Sequence, residues 1–313
     1  MSEAAKKAGF AAVIGAPNAG KSTLVNRLVG SKVTIVTQKV QTTRFPVRGV
    51  AMEGQAQIVL IDTPGIFTPR RRLDRAMVRS AWGGAQDADV TVHLVDAQAQ
   101  WAFQQGEAQG ADKRAAFDVQ TIIEGLRGAG SKAILAINKI DHMKRENLLS
   151  IAHTLFADDI YDRVFMISAA TGAGVDDLKQ ELAGRMPAGP WLYPEDQTAD
   201  LPQRLLAAEI TREKIYLRLH EELPYAAAVE TTAFAEQTNG VRIEQTIYVE
   251  REGQRPIVLG KGGQTLKWIG EASRADLAEI LGRPVHLFLH VKVKENWAEE
   301  RGFYSDLGLD FDV

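Results

Sequence analysis

The sequence predicts two dissimilar modules in tandem. The first is a doubly wound α/β domain built on a phosphate-binding loop; the second is a smaller α+β domain. Three observations predict this. Residues 1–185 alternate apolar, strand-like runs with stretches of helical periodicity. Residues 186–203 are crowded with Pro187, Pro190, Pro194 and Pro202, which break helices and keep a chain extended, so they read as a linker. Residues 204–313 then change order to a helix, two strands across an Asn239-Gly240 turn, two helices around a short glycine loop, and a last strand.

The first strand is the apolar run at 10–14, and Gly15-Ala16-Pro17-Asn18-Ala19-Gly20-Lys21-Ser22 follows it as G-x-x-x-x-G-K-S. Its glycines let the backbone wrap a triphosphate with N–H groups inward, and the helix start adds positive charge. Lys21 is placed to reach the β- and γ-phosphates, and Ser22 to hold Mg²⁺. Thr23 opens a helix that Gly30 can end. The polar stretch Lys39-Val40-Gln41-Thr42-Thr43-Arg44 has the composition of a nucleotide-sensing loop, in which one threonine hydroxyl ligates Mg²⁺. Thr43 is the favoured residue, with Thr42 the close rival. A strand at 47–53 and a buried strand at 56–61 lead to Asp62-Thr63-Pro64-Gly65. A carboxylate at that strand end can hold Mg²⁺ through water, and Gly65 leaves its N–H free to approach a γ-phosphate.

Ile66 follows, where many signalling GTPases carry the glutamine that orients the attacking water. Hydrolysis is therefore slow or assisted. Arg70-Arg71-Arg72-Leu73-Asp74-Arg75 opens a helix whose basic face is either simply solvated or turned to RNA. After a strand at 90–96, residues 98–112 are rich in Gln, Ala and Gly without core periodicity, and read as a mobile insertion. A helix at 115–126 and a strand at 133–137 deliver Asn138-Lys139-Ile140-Asp141. This N-K-x-D selects the base. One carboxylate accepts two hydrogen bonds from guanine N1 and its 2-amino group, whereas adenine offers an acceptor and a C–H there. Asn138 braces neighbouring loops and the stem of Lys139 covers the ring. A last strand at 164–167 ends in Ser168-Ala169-Ala170, whose backbone can meet guanine O6.

Composition limits the alternatives. Among 313 residues, 45% are hydrophobic and 25% charged, an ordinary soluble balance with room for two cores. There is no cysteine, which excludes disulfides, thiolate metal sites and a thiol nucleophile, and fits a reducing cytoplasm. No apolar stretch is long enough to span a bilayer, and Lys6 and Lys7 precede a strand rather than a signal peptide. Net charge is −3, so any nucleic acid must be held by a local patch.

The four motifs stand in the order of a translation-factor-like GTPase, with GTP and GDP as ligands. The form G-x-P-N-x-G-K-S resembles GTPases in which the asparagine helps bind K⁺ beside the phosphates; for Asn18 that role and a simple loop cap are both open. The C-terminal order resembles a type II KH domain with Gly260-Lys261-Gly262-Gly263 as its G-x-x-G. In such domains the loop lets about four nucleotides of single-stranded RNA approach the backbone. Lys261 and Lys267 would add phosphate contacts. Residues 255–294 hold seven Lys/Arg against three Asp/Glu, inside a half (200–313) with fourteen against nineteen.

Together the modules resemble the Era family of bacterial ribosome-assembly GTPases. The likeness covers nearly the whole chain, including Gly189-Pro190-Trp191-Leu192-Tyr193-Pro194-Glu195-Asp196, Glu221-Glu222-Leu223-Pro224-Tyr225, Val249-Glu250-Arg251-Glu252-Gly253-Gln254, and Val291-Lys292-Val293-Lys294 with Trp297. The departures are the 98–112 stretch and a loop lacking the asparagine often found there. The resemblance implies Mg²⁺-dependent GTP hydrolysis and binding to the 3′ end of 16S ribosomal RNA in the 30S subunit. It also implies peripheral association with the inner membrane; the protein itself is expected to be a cytoplasmic monomer. A GTP-gated assembly factor competes with a phosphotransferase carrying an accessory domain, and with a nucleotide-bound RNA scaffold without significant turnover. Phosphate transfer to an acceptor other than water marks the second. RNA affinity indifferent to GDP or GTP marks the third.

Overall fold

The computed structural model describes residues 5–220 and 223–313, so Glu221 and Glu222 of the E-E-L-P-Y run lie outside the described residues. The chain divides into two compact units that interleave in sequence. The first comprises the residues up to Thr34, Thr43–Asp200 and Leu307–Val313; the second comprises Ile35–Thr42 and Leu201–Asp306.

The first unit runs β1 (Lys7–Gly15), α1 (Lys21–Val29), β2 (Val47–Glu53), β3 (Ala56–Asp62), α2 (Arg72–Gln86), β4 (Val90–Asp96), α3 (Ala97–Gln104), α4 (Gly110–Gly128), β5 (Ala133–Asn138), α5 (Arg145–Phe156), β6 (Tyr161–Met166), α6 (Val175–Arg185) and β7 (Ala199–Asp200). Its sheet has the order β6-β5-β4-β1-β3-β2-β7. Pairing is parallel except that β2 runs antiparallel to β3 and to β7. Helices on both faces explain why β1, β3 and β5 read as continuous apolar runs rather than alternating ones. One core packs Leu24, Leu28 and Leu178 against Val13, Leu60 and Leu94; the other packs Ile122, Ile123 and Ile151 against Ile14, Leu135 and Ile137. The strand order reverses at β1, which opens a crevice at its carboxyl end, and the phosphate loop sits there.

The 98–112 stretch is not a mobile insertion. Residues 97–104 form α3, capped by the Asp96 carboxylate, which accepts from Gln98 N at 3.0 Å and Ala99 N at 3.4 Å. Gln100 is buried, Trp101 packs on the second core, and the Phe103 and Phe117 rings lie edge to face at 5.8 Å. A glutamine occupying an inward position breaks the apolar period and concealed the helix. The proline-rich stretch is extended as expected, but it is strapped to the sheet. Gln57 Oε1 accepts from Leu192 N and Tyr193 N at 2.8 and 2.9 Å, Trp191 Nε1 donates to Gln55 O at 3.0 Å, and Val50 N donates to Thr198 O at 2.8 Å.

The second unit runs α7 (Gln203–Arg218), β8 (Ala227–Gln237), β9 (Gly240–Val249), α8 (Arg255–Leu259), α9 (Gln264–Leu281), β10 (Val285–Val293) and α10 (Arg301–Asp306). Its sheet is β10-β9-β8, with β9 parallel to β10 and antiparallel to β8. This is the type II KH arrangement expected from the sequence. Ile35 is built into this unit's core beside Ala207, Ile210, Val241 and Leu277. Among the described residues no helix is long and apolar enough to cross a membrane.

Candidate nucleotide and RNA sites

The phosphate loop is shaped by two close approaches. A Cβ on Gly20, whose φ is +101°, would lie 2.4 Å from Asn138 Nδ2, and one on Gly15 would lie 2.5 Å from Leu94 O. Only glycine fits either place. Asn18 also stands at positive φ, 64°, on the exposed side of the loop. Lys21 is buried and donates to Gly15 O at 3.1 Å and Ala16 O at 3.0 Å. Burial pulls its ammonium down to about 8, while Asp62 opposes the shift. An ammonium with such a displaced pKa, wrapped by backbone carbonyls, is ready to accept an anionic partner.

Three elements meet at Asp62, at the end of β3. Ser22 Oγ, on α1, donates to Asp62 Oδ2 at 2.7 Å and lies 3.0 Å from Thr43 Oγ1. Thr43 and Thr34 donate to the same oxygen at 3.3 and 2.8 Å. Asp62 Oδ1 is buried without a hydrogen-bond partner, and burial raises the carboxyl pKa against the opposing hydroxyls. Two or three hydroxyls beside a buried carboxylate with one oxygen unpartnered form a hard-oxygen donor set that suits Mg²⁺. The rival Thr42 is engaged elsewhere: its Oγ1 donates to Lys39 O at 2.6 Å and lies 2.6 Å from Thr37 Oγ1. Thr34 was missed, since a lone threonine in a polar loop carries no sequence signal.

The D-T-P-G turn is held against the phosphate loop. Thr63 Oγ1 donates to Val13 O at 2.8 Å, and a Cβ on Gly65 would stand 2.9 Å from Pro17 Cγ. Ile66 N donates to Gly15 O at 3.1 Å, and its side chain is buried in the second core, where it orients no water.

At the other end of the crevice, Asn138 joins two loops: its Nδ2 donates to Ala19 O at 2.8 Å and its Oδ1 accepts from Ala169 N at 2.9 Å. Arg27 donates to Ala169 O at 3.3 Å and also to Ala170 O, fixing the Ser168-Ala169-Ala170 turn from α1. The Ser168 hydroxyl is the main cause holding the Asp141 carboxyl below its usual range, and His142 Nε2 lies 2.9 Å from Asp141 Oδ2. Ile140 N donates to Ile167 O at 3.3 Å. Lys139, at φ 66°, is steered by Asp96 at 2.5 Å. Arg27 and Asp96 escaped sequence reasoning because they act through tertiary contacts.

In the second unit, Gly260 has φ 75° and ψ 171°, and a Cβ there would lie 2.2 Å from Thr265 Oγ1. Gly262 and Gly263, at φ 60° and 78°, have nothing within 4 Å of a Cβ. Gly260 is therefore bare for internal packing, and the other two leave open space on the outside. Lys261 is exposed, and so is Lys267, whose side chain keeps 76% exposure and lies 3.9 Å from Glu271. Two apolar side chains flank the loop in water, Ile257 on α8 and Trp268 on α9, with the Arg218 guanidinium 5.4 Å from the Trp268 ring. Such exposed surface beside a bare backbone is suited to bases.

Comparison with known proteins follows the same division. The 50S ribosome-binding GTPase family matches residues 10–139 and the KH domain family matches residues 222–298. GTPase Era of Caulobacter vibrioides is 73% identical over 308 residues, covering 98% of each chain. GTPase Era of Maricaulis maris is 59% identical, covering 100% of each. A crystal structure of Era in complex with MgGDPNP and nucleotides 1506–1542 of 16S ribosomal RNA superposes with a TM-score of 0.87 at 37% identity, covering 97% of this chain and 99% of that one. A tyrosine-to-alanine variant of Aquifex aeolicus Era bound to GDP and AlF₄⁻ gives 0.84 at 37% identity, covering 96% and 99%.

Proposed function

Because the chain belongs to the Era family of GTPases, we propose that it is a GTP-gated RNA-binding factor of small-subunit assembly. It binds and hydrolyses GTP in its first unit, and binds the single-stranded 3′ end of 16S ribosomal RNA through the G-K-G-G loop of its second. In this reading Asp141 accepts from guanine N1 and the 2-amino group, the Lys139 stem covers the ring, and backbone of Ser168-Ala169-Ala170 meets O6. Lys21 leaves its loop carbonyls for the β- and γ-phosphates. Ser22, Thr43 and, through water, Asp62 hold Mg²⁺, which supplies charge neutralisation at the phosphates. Gly65 N–H faces the γ-phosphate. Asn18 would hold K⁺, which would supply the positive charge that an arginine finger gives elsewhere. With Ile66 in place of a water-orienting glutamine, unaided turnover is slow.

The observation that carries gating is the segment Ile35–Thr42. The residues that flank it, Thr34 and Thr43, both bond Asp62. Its middle is built into the second unit: Val36 N donates to Glu213 Oε1 at 2.9 Å, Lys39 donates to Tyr216 O and Leu219 O, and Arg212 donates to Thr42 O. Lys214 joins Glu213 to Asp276 on α9, at 2.9 and 2.5 Å, and α9 opens at the RNA loop. The stretch between the two threonines that bond Asp62 thus belongs to the unit that carries the G-K-G-G loop.

The test is RNA binding of the full chain with a non-hydrolysable GTP analogue and with GDP, mapped by crosslinking. Affinity that differs between the two is expected, and by linkage RNA shifts the preference for the GTP analogue over GDP by the same factor. Equal RNA affinity in both states would leave the scaffold reading, which the buried Ile66 favours, and absence of single-turnover GTP cleavage would complete it. The factor is further proposed to be a cytoplasmic monomer with peripheral association at the inner membrane, checked by light scattering and by sedimentation with anionic vesicles.

A further inference from the structure

Outside both sites, α2 carries a stripe of like charge. Arg72, Arg75 and Arg79 recur at the spacing that lines one helix face, and Arg70 and Arg71 precede them. Asp74, within the same stretch, is buried, and its carboxylate accepts from Arg70 N and Arg71 N at 3.0 Å as a cap. The stripe is covered by the segment Leu307–Val313, which belongs to the same compact unit. Asp310 pairs with Arg79 at 3.2 Å, Phe311 lies under the Arg72 guanidinium at 4.3 Å, and Val313 O accepts from Arg75 Nε at 3.2 Å. Leu309 is buried and anchors the segment. The covering segment thus alternates carboxylates, Asp310 and Asp312, with a flat ring, as a single strand of RNA alternates phosphates with bases. Arginine meets both kinds of group, phosphates by forked hydrogen bonds and ring faces by cation–π contact.

We propose that the α2 stripe is a second RNA-binding face, for the phosphates of a single strand, and that Asp310–Val313 is an intramolecular stand-in for that strand. The cover is displaceable: side chains of Arg79 and Asp310 are 64% and 48% exposed, and pairs that exposed are weak and salt-sensitive. A phosphate gives the same arginines a stronger, bidentate partner. α2 is the first helix after the D-T-P-G turn and begins seven positions beyond Gly65, so the stripe and the turn share one stretch of chain. The proposal rests on the RNA-binding reading above.

The test uses the full chain with a fluorescent single-stranded RNA, titrated between 50 and 200 mM salt. Three forms are compared: wild type; Asp310→Asn with Phe311→Ala and Asp312→Asn; and that triple variant carrying Arg75→Gln and Arg79→Gln. Uncovering the stripe is expected to tighten RNA binding about tenfold at low salt and to steepen the log–log salt slope by about 1.4, the value for two added single-strand phosphates. The two glutamines should remove both gains, with GTP affinity unchanged in all forms. Unchanged or weaker RNA binding in the triple variant overturns the proposal, as does a gain that survives the glutamines. A gain for polyglutamate with none for RNA overturns it in favour of an acidic protein partner. Wild type that binds no RNA at all would instead sink the reading on which this one stands.

Discussion

Gly263→Asp tests the RNA loop most sharply, because the structure separates its glycines by cause. Gly260 is internally required, so any substitution there disturbs Thr265 and conflates folding with binding. At Gly263 nothing lies within 4 Å of a new Cβ. The internal cost is only that of an L-residue at φ 78°, about 1 kcal/mol, and aspartate tolerates that region better than most. An RNA strand laid on the loop, by contrast, would meet a carboxylate. One unit charge about 5 Å from a phosphate is repelled by about 1–3 kcal/mol for an effective dielectric between that of water and a protein surface. RNA affinity should therefore fall about 5- to 150-fold, with a small loss of stability and GTP affinity untouched. Gly263→Ala, which adds bulk without charge, should fall between. Anisotropy titration of a 16S 3′-end oligonucleotide, with thermal melts and GTP binding alongside, gives all three quantities. If Gly263→Asp bound RNA as wild type does, the open space at Gly262 and Gly263 would have no part in recognition.

Other substitutions test the remaining steps. Asp141→Asn should lose preference for GTP and favour xanthosine triphosphate, whose edge offers an acceptor to the new amide; unchanged GTP affinity in nucleotide competition would refute the base-reading role. Replacing K⁺ by Na⁺ should slow steady-state GTP turnover, and equal rates would discard the Asn18 site. Lys214→Met should bring the ratio of RNA affinities in the GTP-analogue and GDP states towards one; a wild-type ratio in a folded variant would exclude the Glu213–Lys214–Asp276 path. His93 is buried with Nδ1 2.7 Å from Tyr161 Oη, and burial, with Lys21 contributing, pushes its pKa from 6.5 down to about 3. The folded state therefore refuses a proton that the unfolded state takes up. The stability it contributes is full above pH 6.5 and is lost as pH falls towards 3, by up to about 1.4 kcal/mol per pH unit. Burial pushes Asp118 up to about 6, so its contribution is full below the usual carboxylate range and declines as pH rises through 6. His93→Phe should flatten the acid side of the melting-temperature profile, and an unaltered profile would contradict a buried neutral imidazole.

What could be read in advance follows from where the chemistry is stored. Gly20, Lys21, Asp62, Asn138 and Asp141 each stand in a short motif whose parts are neighbours in sequence, so residue type and spacing disclose them. Thr34, Arg27 and Asp96 act across the fold, 28, 143 and 43 positions from their partners Asp62, Ala170 and Lys139. No local pattern marks them. Helix α3 was hidden for a different reason: its inward face includes Gln100, so the polarity of the segment argued against the burial it has. The G-K-G-G loop shows a third limit. Sequence presents three identical letters, and only three-dimensional surroundings separate the glycine that packs from the two that leave space.

The placement of Ile35 has a consequence for biosynthesis. The phosphate loop and its strand leave the ribosome first, yet Ile35 finds its apolar neighbours at Ala207, Leu277 and Leu287. At about 5–20 residues per second, roughly 12–50 seconds of translation separate the side chain from the last of these. Through that interval the nascent nucleotide module carries an uncovered apolar loop, and it matures only when the carboxyl-terminal module has been made. Chains arrested before that point are therefore expected to be the form most prone to aggregation.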